Sequence, residues 1–292
     1  MKIGIITRNK DGWCSTQLQG AMCARNLTPV CFSFQQLVVR VKYAPEASVG
    51  EIDVLRDLSA LITRPIGRGS LEEIIFRMDV LHRLERLGML IINPPLAIER
   101  SVDKYHALSL LEEHGLPIPR TAVTESPEEA LKAFHELGGD VVVKPLFGSR
   151  GVGSTRVSDP EIARRVFRAV SFYHGVLYLQ EFVPHGSSDI RAFVIGDRVA
   201  ASMHRVAETW KTNVSLGAKP VACKLDEELE DLAVKAARVI GCRVAGVDIL
   251  ESSDGPVIVE LNSQPGWRGL QSVTEVNIAD EIVEYVLSEL RL

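Results

Sequence analysis

Residues 140–159 read DVVVKPLFGSRGVGSTRVSD. A valine run ends in Lys144, a glycine-rich loop covers Gly148 to Gly153, and a second apolar-alternating run occupies 154–157. A P-loop needs its lysine after the glycines with a helix directly behind it, and neither condition is met. The dinucleotide pattern G-x-G-x-x-G also opens a helix, whereas 154–158 has strand character. What remains is a β-hairpin with a glycine tip and a cation at its root, able to cover a polyphosphate with backbone N–H groups and one ammonium. Taken alone, the same pattern is also ordinary surface structure.

The chain has 292 residues, enough for two or three domains and an ample core. It is 46% hydrophobic and 24% charged, as soluble globular proteins are, and its net charge of −5 gives no electrostatic case for nucleic acid or an acidic membrane. Cys14, Cys23, Cys31, Cys223 and Cys242 form an odd, scattered set without a C-x-x-C pair, which indicates free thiols in a reducing compartment. The amino terminus MKIGIITRNK lacks a long apolar segment, and no run approaches the ~18 apolar residues of a membrane span. A cytoplasmic protein is expected.

Strand and helix alternate through the first part of the chain. Strands are expected at 2–7, 30–34, 58–66 and 88–93, with a helix after the first. A second helix at 70–87 should carry Leu71, Ile74, Ile75, Met78, Leu81, Leu84 and Leu87 on one side. This pattern predicts a small open α/β domain over roughly 1–95. A helix capped by Ser101 should end near Gly115, and another over 126–139 has Pro127 at its first position and acids in its first turn. After the glycine hairpin come a helix at 160–172, a strand at 176–183, a hairpin at 189–207 turned by Gly196-Asp197, and a helix at 226–240. Two strands joined by Asp254-Gly255 and a last helix at 278–290 follow. The strand-rich block 141–262, interrupted by helices, reads as α+β.

The C-terminal strand pair carries the most chemistry. Glu260 and Asn262 are two apart in VIVELN and so share a strand face. If Asp248 in GVDIL lies opposite them, three hard oxygen ligands converge, a set that suits Mg²⁺. The other reading is a solvated face bearing polar residues. Basic residues supply the complement: Arg191, Arg205, Lys211, Lys104 and Lys144, together with Asp189 and Asn213, could neutralise a triphosphate and the charge developed in its cleavage. Backbone groups around Glu181 to Val183, at the end of LYLQEFV, could read an adenine edge.

The ordered series Lys104 in VDKYHALSLLEEHGLPIP, Lys144 in VVVKP, GSRGVG, LQEFV, DIRAFVIGD, Arg205, KTN, GVDIL and VELNSQPG resembles the ATP-grasp ligases, and within them the RimK branch. GRGSLEEIIFRMDVLHRLE, WKTN and PGWRGLQ look most like the ligases that add glutamate to tetrahydromethanopterin. The resemblance covers about 90–290. It implies an ATP-grasp fold at 96–292, with a central lid subdomain at about 117–183 and a metal and catalytic subdomain at about 184–292, behind an N-terminal open α/β domain at 1–95. Nucleotide contacts are implied at Lys104, Lys144, Gly148, Ser149, Gly151, Gly153, Gln180, Glu181, Phe182, Val183, Asp189 and Arg191. Metal ligands are implied at Asp248, Glu260 and Asn262, for two Mg²⁺ ions or Mn²⁺. Catalysis would fall to Arg205, Lys211 and Asn213, and substrate contacts to Ser263, Arg268, Arg64 and Arg68. One departure matters: where the RimK pattern continues SNLHRGG, this chain has TNVSLGAK, so the arginine is absent, and Lys219 is a candidate substitute.

What the resemblance implies is a carboxylate–amine ligase that adds L-glutamate to a small-molecule carboxylate on a pterin-type cofactor tail through an acyl phosphate. Its partners would be that acceptor and L-glutamate, with neither nucleic acid nor membrane, and a homo-oligomer is expected. The rivals are a RimK-like enzyme that modifies a protein C-terminus or a carrier protein, and a non-catalytic ATP-binding module.

Overall fold

The computed structural model describes residues 1–148 and 151–291. The chain opens on β1 (Lys2–Ile6), α1 (Trp13–Ala24) and β2 (Thr28–Phe32), and continues into a small three-stranded sheet of β3 (Leu37–Val39), β4 (Ala47–Val49) and β5 (Ile52–Asp53). The short helix α2 (Val54–Asp57) leads to β6 (Ala60–Thr63), α3 (Leu71–Arg86) and β7 (Leu90–Ile92). The four longer-range strands pair in parallel in the order β2-β1-β6-β7, the open α/β sheet the alternation predicts. Strand β6 stops at Thr63, short of Pro65, because proline has no N–H to give the ladder.

Helix α3 carries a capping box between Ser70 and Glu73, and its buried face differs from the expected one. Met78, Leu81 and Leu84 are buried with Arg77 and Val80, whereas Leu71, Ile75 and Leu87 are exposed. Arg77 lies inward because its guanidinium closes the loop in front of the helix, donating to the carbonyls of Ile66 and Arg68, each at 3.1 Å.

Two helices follow where one was expected. Helix α4 (Pro95–Val102) starts on Pro95 and runs through Ser101, and α5 (Lys104–Glu113) begins two residues later. The cap is therefore Asp103, whose carboxylate accepts from the N–H groups of Tyr105 and His106 at 2.9 and 3.1 Å, and not Ser101. This cap turns Lys104 out at the first position of its helix.

A four-stranded sheet is built from β8 (Thr121–Thr124), β9 (Val141–Lys144), β10 (Thr155–Val157) and β11 (Leu177–Glu181), antiparallel in the order β10-β9-β11-β8. Two helices cover one face, α6 (Pro127–Glu136) and α7 (Pro160–Phe172), both opened by proline and both capped, by Ser126 and Asp159. Their apolar faces, centred on Phe134 and Phe167, close a core with Val141, Val143, Leu177 and Leu179.

A five-stranded antiparallel sheet holds the rest: β12 (Ser188–Ile195), β13 (Arg198–Val206), β14 (Lys219–Ala222), β15 (Val244–Ser252) and β16 (Gly255–Asn262), in the order β14-β13-β12-β15-β16. Helix α8 (Glu227–Ile240) packs its alanine face, Ala233, Ala236 and Ala237, into the core behind this sheet. After the short α9 (Arg268–Gln271), α10 (Ile278–Glu289) lies against α1, so the first and last helices share one core with Trp267 and Phe193.

One side chain fastens the first sheet to the last. The amide of Asn93, just beyond β7, is 1% exposed. Its oxygen accepts from the N–H groups of Arg243 and Val244 at 2.7 and 2.8 Å, and its nitrogen donates to the carbonyls of Val244 and Ser263. A buried amide satisfied on both ends fixes the segment after β16 relative to β7.

Candidate active site

Strand register puts the charged residues in one row. Asp189 on β12 lies opposite Arg205 on β13; Arg191, two residues along β12, lies opposite Asp248 on β15; and Asp248 lies opposite Glu260 on β16. Directly opposed residues of an antiparallel pair share a face, so all five side chains rise from one side of the sheet. A bulge after Asp248 shifts the register by one residue. Asn262 lies opposite Gly246, where a Cβ would sit 2.6 Å from Nη1 of Arg191. Glycine there lets the Arg191 guanidinium lie flat across β15.

Within the row the charges pair in alternation. Both Nε and Nη2 of Arg205 donate to the Asp189 carboxylate, Nε at 2.7 Å, and Nη2 also lies 3.1 Å from Oδ2 of Asp248. Arg191 grips Asp248 with Nε and with Nη2, the latter at 2.8 Å. Thr212 completes the set, its hydroxyl donating to Asp189 at 2.7 Å. Asp189, Arg205 and Asp248 are all nearly inaccessible to solvent. Burial works against the charge of Asp248, yet Arg191 and Arg205 more than offset it and hold its carboxyl below the usual range. Burial likewise opposes the charge on Arg205, and Asp248 and Asp189 raise its pKa regardless.

Asp189, Arg205, Asp248 and Glu260 of this row line an open cleft with Lys104, Lys144 and Gln180, whereas the implied nucleotide contact Arg191 and the implied metal ligand Asn262 are not part of its lining. Lys144, at the end of β9, reaches in with its Nζ 2.5 Å from Oε1 of Gln180. Burial pushes its pKa down to about 8, against the opposing charge of Glu260 and with a further push from Lys104. Lys104 donates to the Gly148 carbonyl at 2.9 Å, so one lysine fastens the root of the hairpin while the other faces the cleft; burial also lowers the Lys104 pKa. Among the described residues, Glu260 has no hydrogen-bond or ion-pair partner, unlike Asp248 one strand away.

The hairpin tip rests on the loop that carries Lys211 and Asn213. Gly151 has a φ of +68°, and a Cβ there would lie 2.2 Å from Oδ1 of Asn213. Gly153 is also left-handed, with φ +83°, and Gly148 is not, which narrows the expected set of conformationally required glycines to two. Ser149 lies outside the described residues. Lys211 sits with its Nζ 5.2 Å from the Trp210 ring centroid, and Trp210 in turn meets Phe182 edge-on at 6.2 Å. The Arg156 guanidinium covers the other aromatic neighbour, 3.4 Å from the Phe182 centroid.

At the hinge, two of the three backbone N–H groups are already committed. Glu181 donates to the Arg120 carbonyl and Phe182 to that of Asp140, both at 2.9 Å, while the Val183 N–H has no acceptor among the described residues. The Glu181 carboxylate pairs with Arg120 at 2.6 Å and so faces away from this role.

The implied substrate contacts lie outside the cleft lining. The Ser263 hydroxyl is 2.5 Å from that of Ser101 and buried; Arg268 opens α9 and is exposed; Arg68 is exposed; and Arg64 lies over Trp267 with its guanidinium carbon 4.8 Å from the ring centroid. Lys219, at the start of β14, is exposed and does not line the cleft. Sequence reasoning passed over Thr212, Trp210 and Asn93. Thr212 gave no signal, because residues 211–213 lie in a loop and Lys211, Thr212 and Asn213 all line the cleft.

A RimK-like ATP-grasp domain matches residues 101–286. The chain belongs to the RimK-like ATP-grasp family. It is 36% identical over 293 residues to the tetrahydromethanopterin:alpha-L-glutamate ligase of Methanococcus maripaludis, across 99% of this chain and 98% of that one. A probable alpha-L-glutamate ligase of Legionella pneumophila is 38% identical over 211 residues, covering 71% of this chain and 70% of the other. The ATP-grasp ligase PsnB, solved with a minimal precursor, Mg and ADP, superposes with a TM-score of 0.78 at 22% identity, over 99% of this chain and 97% of that chain. A RimK domain protein from Sphaerobacter thermophilus gives 0.77, also at 22%, over 98% and 99%. The ATP-grasp fold and the membership of this family make the chain an ATP-dependent amino-acid ligase. Among the described residues, no helix is long and apolar enough to cross a membrane.

Proposed function

We propose that the protein joins L-glutamate to a carboxylate on the tail of a tetrahydromethanopterin-type cofactor, with ATP converted to ADP and phosphate. The observation that carries this reading is near-complete two-way coverage at 36% identity with an enzyme bearing that name. A cleft in which two lysines face an acidic strand row supports the phosphoryl chemistry.

The acceptor carboxylate attacks the γ-phosphorus of ATP, the bond to the ADP oxygen breaks, and an acyl phosphate forms. The glutamate nitrogen then attacks the acyl carbon, phosphate leaves, and the nitrogen loses its proton to solvent. Lys144 holds the nucleotide phosphates from above, with Lys104 setting the hairpin that covers them. The Val183 N–H is the hinge donor with capacity left for an adenine edge. Gly151 and Asn213 meet as the lid closes and exclude water, which protects the acyl phosphate from hydrolysis.

The donor set fits a hard divalent cation: Glu260, Asn262 and Asp248 each offer a side-chain oxygen, from neighbouring positions on one face. Glu260 is the ligand with free valence, while Asp248 is counter-charged by arginines. Magnesium, as two ions or with manganese in its place, would neutralise charge on the transferring phosphoryl group. Arg205, beside both aspartates and in the cleft lining, would supply fixed positive charge to the developing oxyanion. Asp189 and Thr212 hold that guanidinium in place.

The test is ADP formation with Mg²⁺, ATP and L-glutamate against a panel of acceptors: a tetrahydromethanopterin-type cofactor, a ribosomal protein terminus and a carrier protein. Glutamate-dependent ADP release with the pterin alone supports the reading. Release with a protein acceptor replaces it with the RimK-like alternative, and no release with any acceptor leaves a binding module.

A further inference from the structure

Helix α3 buries one side in the first domain and leaves large apolar side chains on the other. Leu71, Ile75 and Phe76 are 77%, 51% and 44% exposed, and Leu87, directly after the helix, is exposed as well. A helix whose core-facing side is already satisfied by Met78, Leu81 and Leu84 has no need of a second apolar strip in water. The strip also has a regular spacing. Residues 72, 76, 79, 83 and 86 follow one another at intervals of four and three, so they form a single seam along the outer face, with Ile75 beside it. That is the spacing by which one helix docks on another.

The seam is electrically split. Glu72 and Asp79 lie in its first half, Arg83 and Arg86 in its second. None of these four side chains has a hydrogen-bond or ion-pair partner among the described residues, whereas Glu73 and Arg77 on the flank pair with each other at 3.0 Å. A face that is acidic toward one end and basic toward the other is complementary to a copy of itself turned end for end. Laid antiparallel, with a two-fold axis at the level of Leu81, Asp79 meets Arg83 of the partner subunit and Phe76 meets Arg86 of the partner subunit. The symmetry makes each contact twice. A parallel alignment would instead set Asp79 and Arg83 each against their own kind, which is costly.

We propose that the outer face of α3 is the interface of a two-fold dimer, docked antiparallel on the same face of a second copy of this chain. The expectation of a homo-oligomer came without a surface; the charge pattern of α3 selects the surface, the symmetry and the register together. The apolar residues supply the driving force, with Ile75 and Phe76 removed from water in both copies. The charges fix the alignment, and the guanidinium of Arg86 in one copy covers the Phe76 ring of the other. Arg77 ties the same helix to the carbonyls of Ile66 and Arg68, so a second copy seated on α3 also braces the loop between β6 and α3. None of this depends on which acceptor the ligase uses.

Sedimentation equilibrium of the full chain reads the assembly directly. The wild type should sediment as a dimer or as a pair of dimers, and Ile75→Asp combined with Phe76→Asp should halve that mass, weakening association about a hundredfold or more. Asp79→Lys and Arg83→Asp, each alone, should weaken it about tenfold or more, because the two-fold repeats the like-charge contact. Mixed in equal amounts, these two variants should associate as the wild type does, since both contacts then join opposite charges. Recovery on mixing also shows that each variant is folded. A wild type that stays monomeric at roughly 100 μM overturns the proposal and leaves the face to a different protein. An unchanged mass in the Ile75 and Phe76 double variant overturns it too, as does a mixture that associates no better than its components.

Discussion

Arg205 and Asp189 face each other across β13 and β12, and the guanidinium closes on the carboxylate with two nitrogens while a third contact reaches Asp248. An arginine that counter-charges two buried aspartates has a structural duty as well as a chemical one. Arg205→Ala should therefore lower stability by about 3–5 kcal/mol, since it strands a buried carboxylate, in addition to lowering kcat. Arg205→Lys should recover part of the stability and little of the turnover, because an ammonium lacks the planar fork. Urea unfolding beside steady-state kinetics reads both. A stable Arg205→Ala with full turnover would remove the residue from both roles.

Glu260 offers the contrast. With no partner to strand, Glu260→Ala should keep the thermal midpoint of the wild type and abolish Mg²⁺-dependent ADP formation. Asp248→Ala, which leaves Arg191 without its carboxylate and removes one of the two that face Arg205, should lower the midpoint as well. Near-normal activity of Glu260→Ala with Mg²⁺ would place the metal elsewhere.

The glycine tip gives a steric prediction. Gly151→Val puts a side chain on Oδ1 of Asn213 and forces a branched residue to φ +68°. The kcat should fall more than ATP affinity does, because closure completes the site. Equal losses of kcat and ATP affinity in Gly151→Val would make the hairpin a simple binding loop.

Two pH dependences of opposite sign follow from Lys144. Its pKa in the fold, about 8, is depressed from the ordinary lysine value of ~10.4, so the unfolded chain binds more protons between these limits and stability rises with pH across that window. Nucleotide affinity should fall over the same range as the ammonium is lost. Lys144→Met should flatten both profiles, as read by thermal midpoints and by titration of the ATP analogue from pH 7 to 9. An affinity that stays level through about pH 8 in the wild type would show that Lys144 does not hold phosphate.

The glycine hairpin, the strand pair around Asp248 and Glu260, and the alternation of the first sheet were legible because local pattern governs them: period two in the strands, proline and glycine at the breaks. Helix α4 was not, since two prolines directly after the strand at 88–93 read as a break and Ser101 reads as a cap. The buried Arg77 and the exposed Leu71 of α3 reverse the expected polarity because a loop carbonyl needed a donor. Nor could spacing show that Asp248 is held by two arginines. That fact depends on the register of three strands, and register is a property of the assembled sheet.

The central claim is that an acceptor carboxylate is activated by phosphorylation before the amine attacks. It is tested most directly by labelling that carboxylate with heavy oxygen and running the reaction with Mg²⁺, ATP and L-glutamate on a tetrahydromethanopterin-type acceptor. The account predicts one heavy oxygen atom in the inorganic phosphate for every amide bond formed, with ADP as the nucleotide product. Unlabelled phosphate, or AMP with pyrophosphate in place of ADP, would contradict it.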